Sequence, residues 1–324
     1  MYSNYVDIDH YIKMHIAKEA TQSSKIEATQ TNIEEAFLSK DEINANMRDD
    51  WEEVQNYSTA MNEAVQLLHT LPFSPRLIRQ THKILLQGVR GKHKLPGEYR
   101  SSQNWIGGAS IMDATFVPPV HSSIAELISD IEKFANDELN PLPELLKVAL
   151  IHYQFETIHS FPDGNGRVGR LLITLYLVDK GILKRPILYL SDFFERNRML
   201  YYDNLIRVRT HNYIGQWFKF FLTGIIETAK NGVSTFDNIL QLQRSIESRL
   251  KDIGSRSGDA YKVVNYLYSN PIIDVQKLSV VTGKSLKPAY NLMALLEKLE
   301  IVKEITGAQR SKLYMFDEYM QIFK

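Results

Sequence analysis

His159-Ser160-Phe161-Pro162-Asp163-Gly164-Asn165-Gly166-Arg167-Val168-Gly169-Arg170 decides the reading of this chain. The stretch holds an imidazole, a carboxylate, an amide, glycines and two guanidinium groups. Upstream, Leu146, Ala149, Leu150 and Tyr153 recur at helical spacing. Downstream, residues 171–178 are strongly apolar and stop before Gly181, a suitable helix C-terminal cap. The stretch is therefore predicted to be a loop between two helices.

A helix that starts near Asn165 or Gly166 aims free N–H groups and the positive end of its dipole back at that loop, which is a ready anion site. Gly164 and Gly166 let the backbone approach a ligand with no Cβ in the way. Arg167 and Arg170 lie on about one helix face, and each offers a planar fork of donors to phosphate oxygens. Asp163 is out of place against phosphate unless a cation lies between, and a single carboxylate with phosphate oxygens and water is the usual environment of Mg²⁺. His159 alone in the loop exchanges a proton near neutral pH, so it is the candidate general base toward a hydroxyl. Taken singly, each feature has an ordinary structural reading, because Asp-Gly and Asn-Gly are common turn dipeptides and arginine after a turn is often solvated. Together they point to a nucleoside triphosphate.

The loop resembles the signature of the Fic family, H-x-F-x-D/E-G-N-G-R-x-x-R. His159, Phe161, Asp163, Gly164, Asn165, Gly166, Arg167 and Arg170 match every fixed position. The resemblance extends from about residue 20 to about residue 225. Pro96-Gly97-Glu98-Tyr99-Arg100, Trp105-Ile106-Gly107-Gly108 and Phe116-Val117-Pro118-Pro119 are similar to the family's flap region. Leu190-Ser191, Asn197-Arg198 and Tyr201-Tyr202 resemble its downstream stretch.

The resemblance implies an all-α Fic fold with a small β-hairpin flap. It also implies transfer of AMP from ATP to a Ser, Thr or Tyr hydroxyl of a target protein. On this carry-over His159 is the catalytic base and Asp163 holds Mg²⁺. Asn165 and the amides near Gly164 and Gly166 bind the phosphates, and Arg167 and Arg170 contact the β and γ phosphates. Phe161 is expected to anchor the loop in the core. Asn197 and Tyr202 are expected at the adenine, with a core aromatic as the alternative for Tyr202. Phe116, Val117 and Pro118 are expected to dock the target by strand addition, with a plain connector as the alternative for Pro118-Pro119. Within the family the same loop also removes AMP or transfers other phosphate-linked groups. The intact Gly164-Asn165-Gly166 and both arginines favour ATP in its usual orientation.

Ser23 and Glu27 are four apart and share one face of a helix. Ser23-Ser24-Lys25-Ile26-Glu27 resembles the family's inhibitory motif, (S/T)-x-x-x-E-(G/N). There the glutamate pairs with the loop's second arginine, here Arg170, and obstructs ATP. Ala28 departs from the pattern, which has Gly or Asn at that place.

The 324 residues leave room for two domains and an extra helical lobe. Lys and Arg balance Asp and Glu, which argues against a broad electrostatic grip on nucleic acid. There is no cysteine, so disulfides, thiolate chemistry and the commonest soft zinc ligand are excluded. The start of the chain has neither a basic segment nor an apolar run, and no stretch approaches ~18 uninterrupted apolar residues. A cytoplasmic protein without membrane contact is expected.

Along the chain, residues 1–90 read as an N-terminal helical region carrying Ser23 and Glu27, with breaks near Pro72 and Pro75. Residues 91–231 read as the Fic core, with helices at 122–136, 144–158, 166–180, 192–209 and 213–230. Residues 232–257 continue as an amphipathic helical linker through Phe236, Ile239, Leu242, Ile246 and Leu250. In 258–324, helices at 259–268, 274–282 and 288–299 precede two short strands at 301–304 and 312–316. That order resembles a winged helix-turn-helix domain. In DNA-binding versions the third helix, here with Lys287, Tyr290 and Asn291, enters the major groove while a wing, here with Gln309, Arg310 and Lys312, approaches the backbone. Glu297, Glu300 and Glu304 thin that charge, and protein binding is the alternative. The expected partners are a target protein, a second copy of the chain, and DNA through the C-terminal domain. A nucleotide-responsive DNA-binding regulator is the competing function, and it would not need His159. Gly283-Lys284-Ser285 is not a P-loop, since Leu278 stands where the earlier glycine is required.

Overall fold

The computed structural model describes residues 8–88, 93–251 and 253–324. The boundary expected at 90/91 lies outside the described residues. In chain order the helices are α1 (Ile8–Ile26), α2 (Arg48–Leu67), α3 (Pro75–Leu85), α4 (Ile124–Ala135), α5 (Glu144–Ile158), α6 (Asn165–Asp179), α7 (Ser191–Arg196), α8 (Arg198–His211) and α9 (Ile214–Lys251). After them come α10 (Ser257–Ser269), β1 (Ile272–Ile273), α11 (Val275–Thr282), α12 (Leu286–Lys298), β2 (Lys303–Glu304), β3 (Tyr314–Met315) and α13 (Asp317–Ile322). The chain divides into two compact units, one of residues 19–31 and 44–229, the other of residues 1–18, 32–43 and 230–324.

In the first unit α5 and α6 pack on one another, with α2, α3 and α4 against them. Val168, Leu171, Leu172, Leu175 and Tyr176 of α6 are fully buried. A helix buried on all sides has no face to give to water, so it becomes the centre of the unit. Each such side chain contributes about 1.5–3 kcal/mol by leaving water. The polar loop before α6 is thus carried by a rigid scaffold. α3 starts at Ser74, whose Oγ accepts the Leu77 N–H at 3.4 Å, with Pro75 at the first helical turn. Trp217 donates to the Ala149 carbonyl at 2.9 Å and so ties α9 to α5.

The helix expected over 192–209 is two helices. The chain breaks at Asn197 (φ −114°, ψ 30°), whose amide donates to the Phe193 carbonyl at 2.9 Å. The segments expected at 213–230 and 232–257 instead form, as far as Lys251, one uninterrupted helix of 38 residues. Its Gly224 does not break it, because the Phe193 ring fills the space where a Cβ would stand.

The second unit holds a three-stranded antiparallel sheet of order β1-β3-β2, with Ile272 opposite Met315 and Lys303 opposite the same Met315. Its core combines Leu267, Leu278, Met293, Leu296, Phe316 and Tyr319 with Tyr11 and Met14 of α1 and Ile239, Ile246 and Leu250 of α9. Residues assigned from sequence to an N-terminal region and to a linker therefore complete this core. β1 and α13 were not expected, since two residues of strand and six of helix are too short to display a period. Among the described residues no helix is long and apolar enough to cross a membrane.

Candidate active site

α5 ends at His159, which takes a left-handed conformation (φ 50°, ψ 58°). For a residue with a Cβ that costs roughly 1–2 kcal/mol, so the surroundings must hold it. Arg100 does so. Its Nε donates to the His159 carbonyl at 2.9 Å, its Nη1 to the Ser102 carbonyl at 2.9 Å and its Nη2 to the Pro119 carbonyl. Its backbone N–H donates to the Ser160 carbonyl at 3.0 Å. One buried guanidinium thus fastens His159 to both ends of the flap. From sequence Arg100 was legible only as a member of the flap stretch.

Inside the loop, Asn165 Oδ1 accepts the Phe161 N–H at 2.8 Å, and its Nδ2 donates to the Phe161 carbonyl at 2.8 Å. The Asn165 amide thus closes the loop on itself. Phe161 is fully buried, as expected, and stacks on His82 at 3.7 Å with 8° between the rings. His82 Nδ1 accepts the Gly97 N–H at 2.8 Å, so Nε2 carries the proton and donates to the Asp163 carbonyl at 3.0 Å. Burial holds His82 down at about 4, which keeps it neutral in this bridging role. A lone histidine on an amphipathic helix gave no signal of it.

Asp163 Oδ1 accepts the Gly164 N–H at 2.6 Å and lies 3.7 Å from Arg167 Nη2. The side chain stays 44% exposed, so the carboxylate is reachable from outside. Gly164 (φ 75°) is the N-cap of α6, a left-handed corner that favours glycine. Arg167 is buried and donates to Glu53 Oε2 of α2 at 3.0 Å, and Glu53 also accepts from Thr29 Oγ1 at 3.1 Å. Glu53 was not singled out from sequence, because it is one of several acids along a polar helix face.

Arg170, buried in α6, meets the end of α1. Its Nε donates to Ser23 Oγ at 2.8 Å, and its Nη2 donates to the Ser23 carbonyl at 2.9 Å and to Glu27 Oε1 at 2.8 Å. A Cβ placed on Gly166 would stand 2.4 Å from the same Glu27 oxygen. The Glu27 carboxylate therefore lies over the first turn of α6, where sequence reasoning expects an anion. Burial pushes the Glu27 carboxyl up, but the charge and hydrogen bond of Arg170 outweigh it and, with Arg167, leave it below its ordinary value. About two turns back from Glu27 on α1 stands Glu19, which is buried and accepts from Tyr57 at 2.8 Å and from the Ser191 hydroxyl. α1 closes at Ala28 in the left-handed region (φ 72°). That geometry accounts for Gly or Asn at this place in the resembling motif.

A cavity of about 290 Å³ joins these groups. Its wall includes Glu27, Gly166, Arg170, His159 and Glu156, with Ile106, Thr115 and Phe116 of the flap, and Tyr201, Tyr202, Leu205, Ile206 and Arg209 of α8. Tyr202 lines it. Asn197 is not part of that wall; its amide donates to the Phe193 carbonyl at the end of α7. The flap is pinned by one antiparallel bridge, Ile106 N–H to Phe116 O at 2.8 Å and the reverse at 3.1 Å, rather than by a regular hairpin. Val117 is exposed, but Pro118 is buried and its carbonyl accepts from Gln103 at 2.9 Å, so Pro118 does not present a docking side chain. The Arg209 guanidinium lies 3.9 Å over the Phe116 ring.

Burial lowers His159 to about 4, with Arg209 and Arg100 acting the same way against Glu27. The imidazole is neutral at physiological pH, and its Nδ1 has no hydrogen-bond partner. Burial pushes the Glu156 carboxyl up to about 7 against the pull of Arg170, and Glu27 adds to the rise. Its Oε1 is also without a partner. Glu156 had drawn no notice in the sequence.

Residues 72–177 match the Fic/DOC family, and residues 1–66 match the Fic/DOC family N-terminal region. A probable protein adenylyltransferase from Aquifex aeolicus is 39% identical over 89 residues, 28% of this chain and 26% of that protein. The protein adenylyltransferase Fic of Drosophila melanogaster is 36% identical over 86 residues, 26% of this chain and 16% of that protein. The chain thus spans about a quarter or less of the curated relatives it matches. Among solved structures, a Fic family protein from Desulfovibrio desulfuricans aligns with a TM-score of 0.59 at 18% identity, over 94% of this chain and 86% of that one. A Fic domain-containing signaling protein from Bacteroides thetaiotaomicron gives 0.58 at 19% identity, over 72% and 91%. At such identities the likeness is one of fold.

Proposed function

The chain belongs to the Fic/DOC family, and from that premise we propose that it transfers AMP from ATP to a hydroxyl of a target protein and is held back by Glu27. The observation that carries the reading is a neutral His159 in the same cavity as Arg170 and the glycine-lined start of α6. The imidazole takes the proton of the incoming Ser, Thr or Tyr hydroxyl. The hydroxyl oxygen bonds to the α-phosphorus, the bond from that phosphorus to the bridging oxygen breaks, and diphosphate leaves. Little covalent work falls to the protein, so positioning and charge neutralisation dominate. The open N–H groups at the start of α6 and the guanidinium of Arg170 offset charge on the departing oxygens.

Asp163 suits Mg²⁺, because a half-exposed carboxylate on a phosphate-binding loop is the usual protein share of such a site. Among the described residues no group of three or more His, Asp or Glu could hold a metal, so the remaining oxygens would come from the triphosphate and water. When bound there, Mg²⁺ supplies charge neutralisation to the phosphates.

Glu27 supports autoinhibition because it occupies the guanidinium and the anion-binding turn that a γ-phosphate would use. Incubation with α-labelled ATP, Mg²⁺ and lysate, beside His159→Ala, tests the reading. Label on protein that His159→Ala does not reproduce is expected. Label transfer that persists without His159 would refute it.

A second reading rests on the other unit. The order α10-β1-α11-α12-β2-β3 supports the winged helix-turn-helix expected for this part of the chain. Lys287, Tyr290, Asn291, Arg310 and Lys312 are exposed, while the Glu304 carboxylate is engaged by the Thr306 and Gly307 N–H groups of the wing. These support contact with a DNA backbone. A salt-dependent mobility shift with duplex DNA, lost in Lys287→Glu with Arg310→Glu, tests it.

A further inference from the structure

We infer that Arg209 of α8 is a positioning residue for the transfer. Its guanidinium ties the last turns of α5, which present His159, to the Phe116 ring, and so fixes the imidazole against that wall of their common cavity. This rests on the AMP-transfer reading and adds to it a residue outside the loop, the inhibitory helix and the flap.

The end of α5 needs a donor from elsewhere in the chain. The last carbonyls of a helix have no partner further along it, and the negative end of the dipole gathers there. Arg209 Nη2 donates to the Glu156 carbonyl at 3.2 Å, and its Nε donates to Thr157 Oγ1 at 3.3 Å. The Thr157 hydroxyl spends its own hydrogen on the Tyr153 carbonyl at 2.9 Å, so its lone pairs are left for the arginine. The Tyr153 side chain, one turn back on the same face, engages the guanidinium too. His159 then leaves the helix in the left-handed region (φ 50°), so the direction of its ring depends on how firmly this turn is held.

The same guanidinium lies 3.9 Å from the centre of the Phe116 ring, well inside the ~6 Å range of a cation–π contact. Phe116 is one half of the antiparallel bridge with Ile106. Arg100 fastens the two ends of the flap through the Ser102 and Pro119 carbonyls, and Arg209 fastens it at the bridge. Arg209, Phe116 and His159 all line the cavity of about 290 Å³. Burial lowers the Arg209 pKa, against the pull of Glu156, so holding this cation here costs free energy. A guanidinium without these partners would turn to water, as its long stem allows. Proton transfer and in-line attack are sensitive to placement, and a displacement of about 1 Å lowers a rate about a hundredfold. A direct hold on a phosphate is the competing role for a cation in this wall, and the dependence on ATP separates the two.

The full-length Glu27→Gly protein, given α-labelled ATP and Mg²⁺, is assayed for label on itself and on lysate protein. Arg209→Ala should lower the rate at saturating ATP about ten- to a hundredfold, with the KM for ATP within about twofold of its parent. Arg209→Lys keeps a cation over the ring without the fork and should recover part of the rate, whereas uncharged Arg209→Met should not. Phe116→Leu should also slow transfer, and combining it with Arg209→Ala should cost little more, because both break one link. An unchanged rate in Arg209→Ala, a KM for ATP that rises as far as the rate falls, or losses that multiply in the double variant overturn the proposal. If Arg209→Ala melts early, Arg209→Lys against Arg209→Met decides, and equal rates reject it. If Glu27→Gly transfers no label at all, the AMP-transfer reading is what fails. The nitrogen resonances of the His159 imidazole then decide the placement. They should shift in Arg209→Ala and return toward the parent in Arg209→Lys, and resonances unmoved by Arg209→Ala reject it.

Discussion

Arg170 and Glu27 meet through Nη2 and Oε1 at 2.8 Å, and Ser23 takes Nε and a second hydrogen of Nη2 on the same guanidinium. The arginine is buried and cannot leave, whereas the Glu27 side chain keeps 39% of its surface open. The mobile partner of this pair is therefore the glutamate. Glu19, about two turns further back on α1, is locked to Tyr57 and Ser191. Displacement of Glu27 needs only the last turn of α1 to yield.

Glu27→Gly should raise AMP incorporation. A charge-assisted hydrogen bond of this kind, discounted for its open side, carries about 1–2 kcal/mol. An incoming phosphate no longer has to displace it, so label from α-labelled ATP should rise roughly five- to thirtyfold. Unchanged incorporation would remove Glu27 from the regulation.

Ala28→Gly should tighten the restraint. Ala28 sits at φ 72°, where its Cβ is strained and glycine is not. Relief of about 1 kcal/mol should raise Tm by about 2–4 °C. Basal AMP transfer should fall at the same time. A lower Tm would show that the corner is not strained.

Glu156→Gln should stabilise the protein at pH 8 and leave it nearly unchanged at pH 5. The folded state holds this carboxyl at about 7, above its ordinary value, because it is buried. A raised carboxyl favours the protonated form, so the stability it permits is present at low pH and lost as pH rises through about 7. Glutamine copies the protonated form and escapes that loss. Melting curves at both pH values decide it, and an equal shift at each would contradict the burial argument.

The pH profile of kcat/KM should lack a limb near the ordinary histidine value. His159 sits at about 4, so it remains a neutral base as pH falls from 8 toward 5. In Glu27→Gly the value should fall further, because that carboxylate is what raises it. A limb near 6.5 would count against a buried, desolvated base.

The sequence by itself determined the loop. Local spacing placed α5 and α6 on either side of 159–164, and the residue types there, free of any tertiary knowledge, are those expected of an anion site with a base beside it. It also brought Ser23 and Glu27 to one helix face, since four residues make about one turn. What the tertiary structure alone decided is which groups answer one another across long separations. Glu53 opposite Arg167, His82 between Gly97 and Asp163, Arg100 behind His159 and Glu156 beneath Arg170 carry no spacing signal, because their partners lie far away in the chain. The same holds for Asn165, whose amide chose the Phe161 backbone over solvent once the loop was buried, and for Tyr11 and Ile239, which joined one core from opposite ends of the chain. A buried polar group takes whichever partner the packed helices bring within reach, and burial is a property that no short stretch of sequence possesses alone.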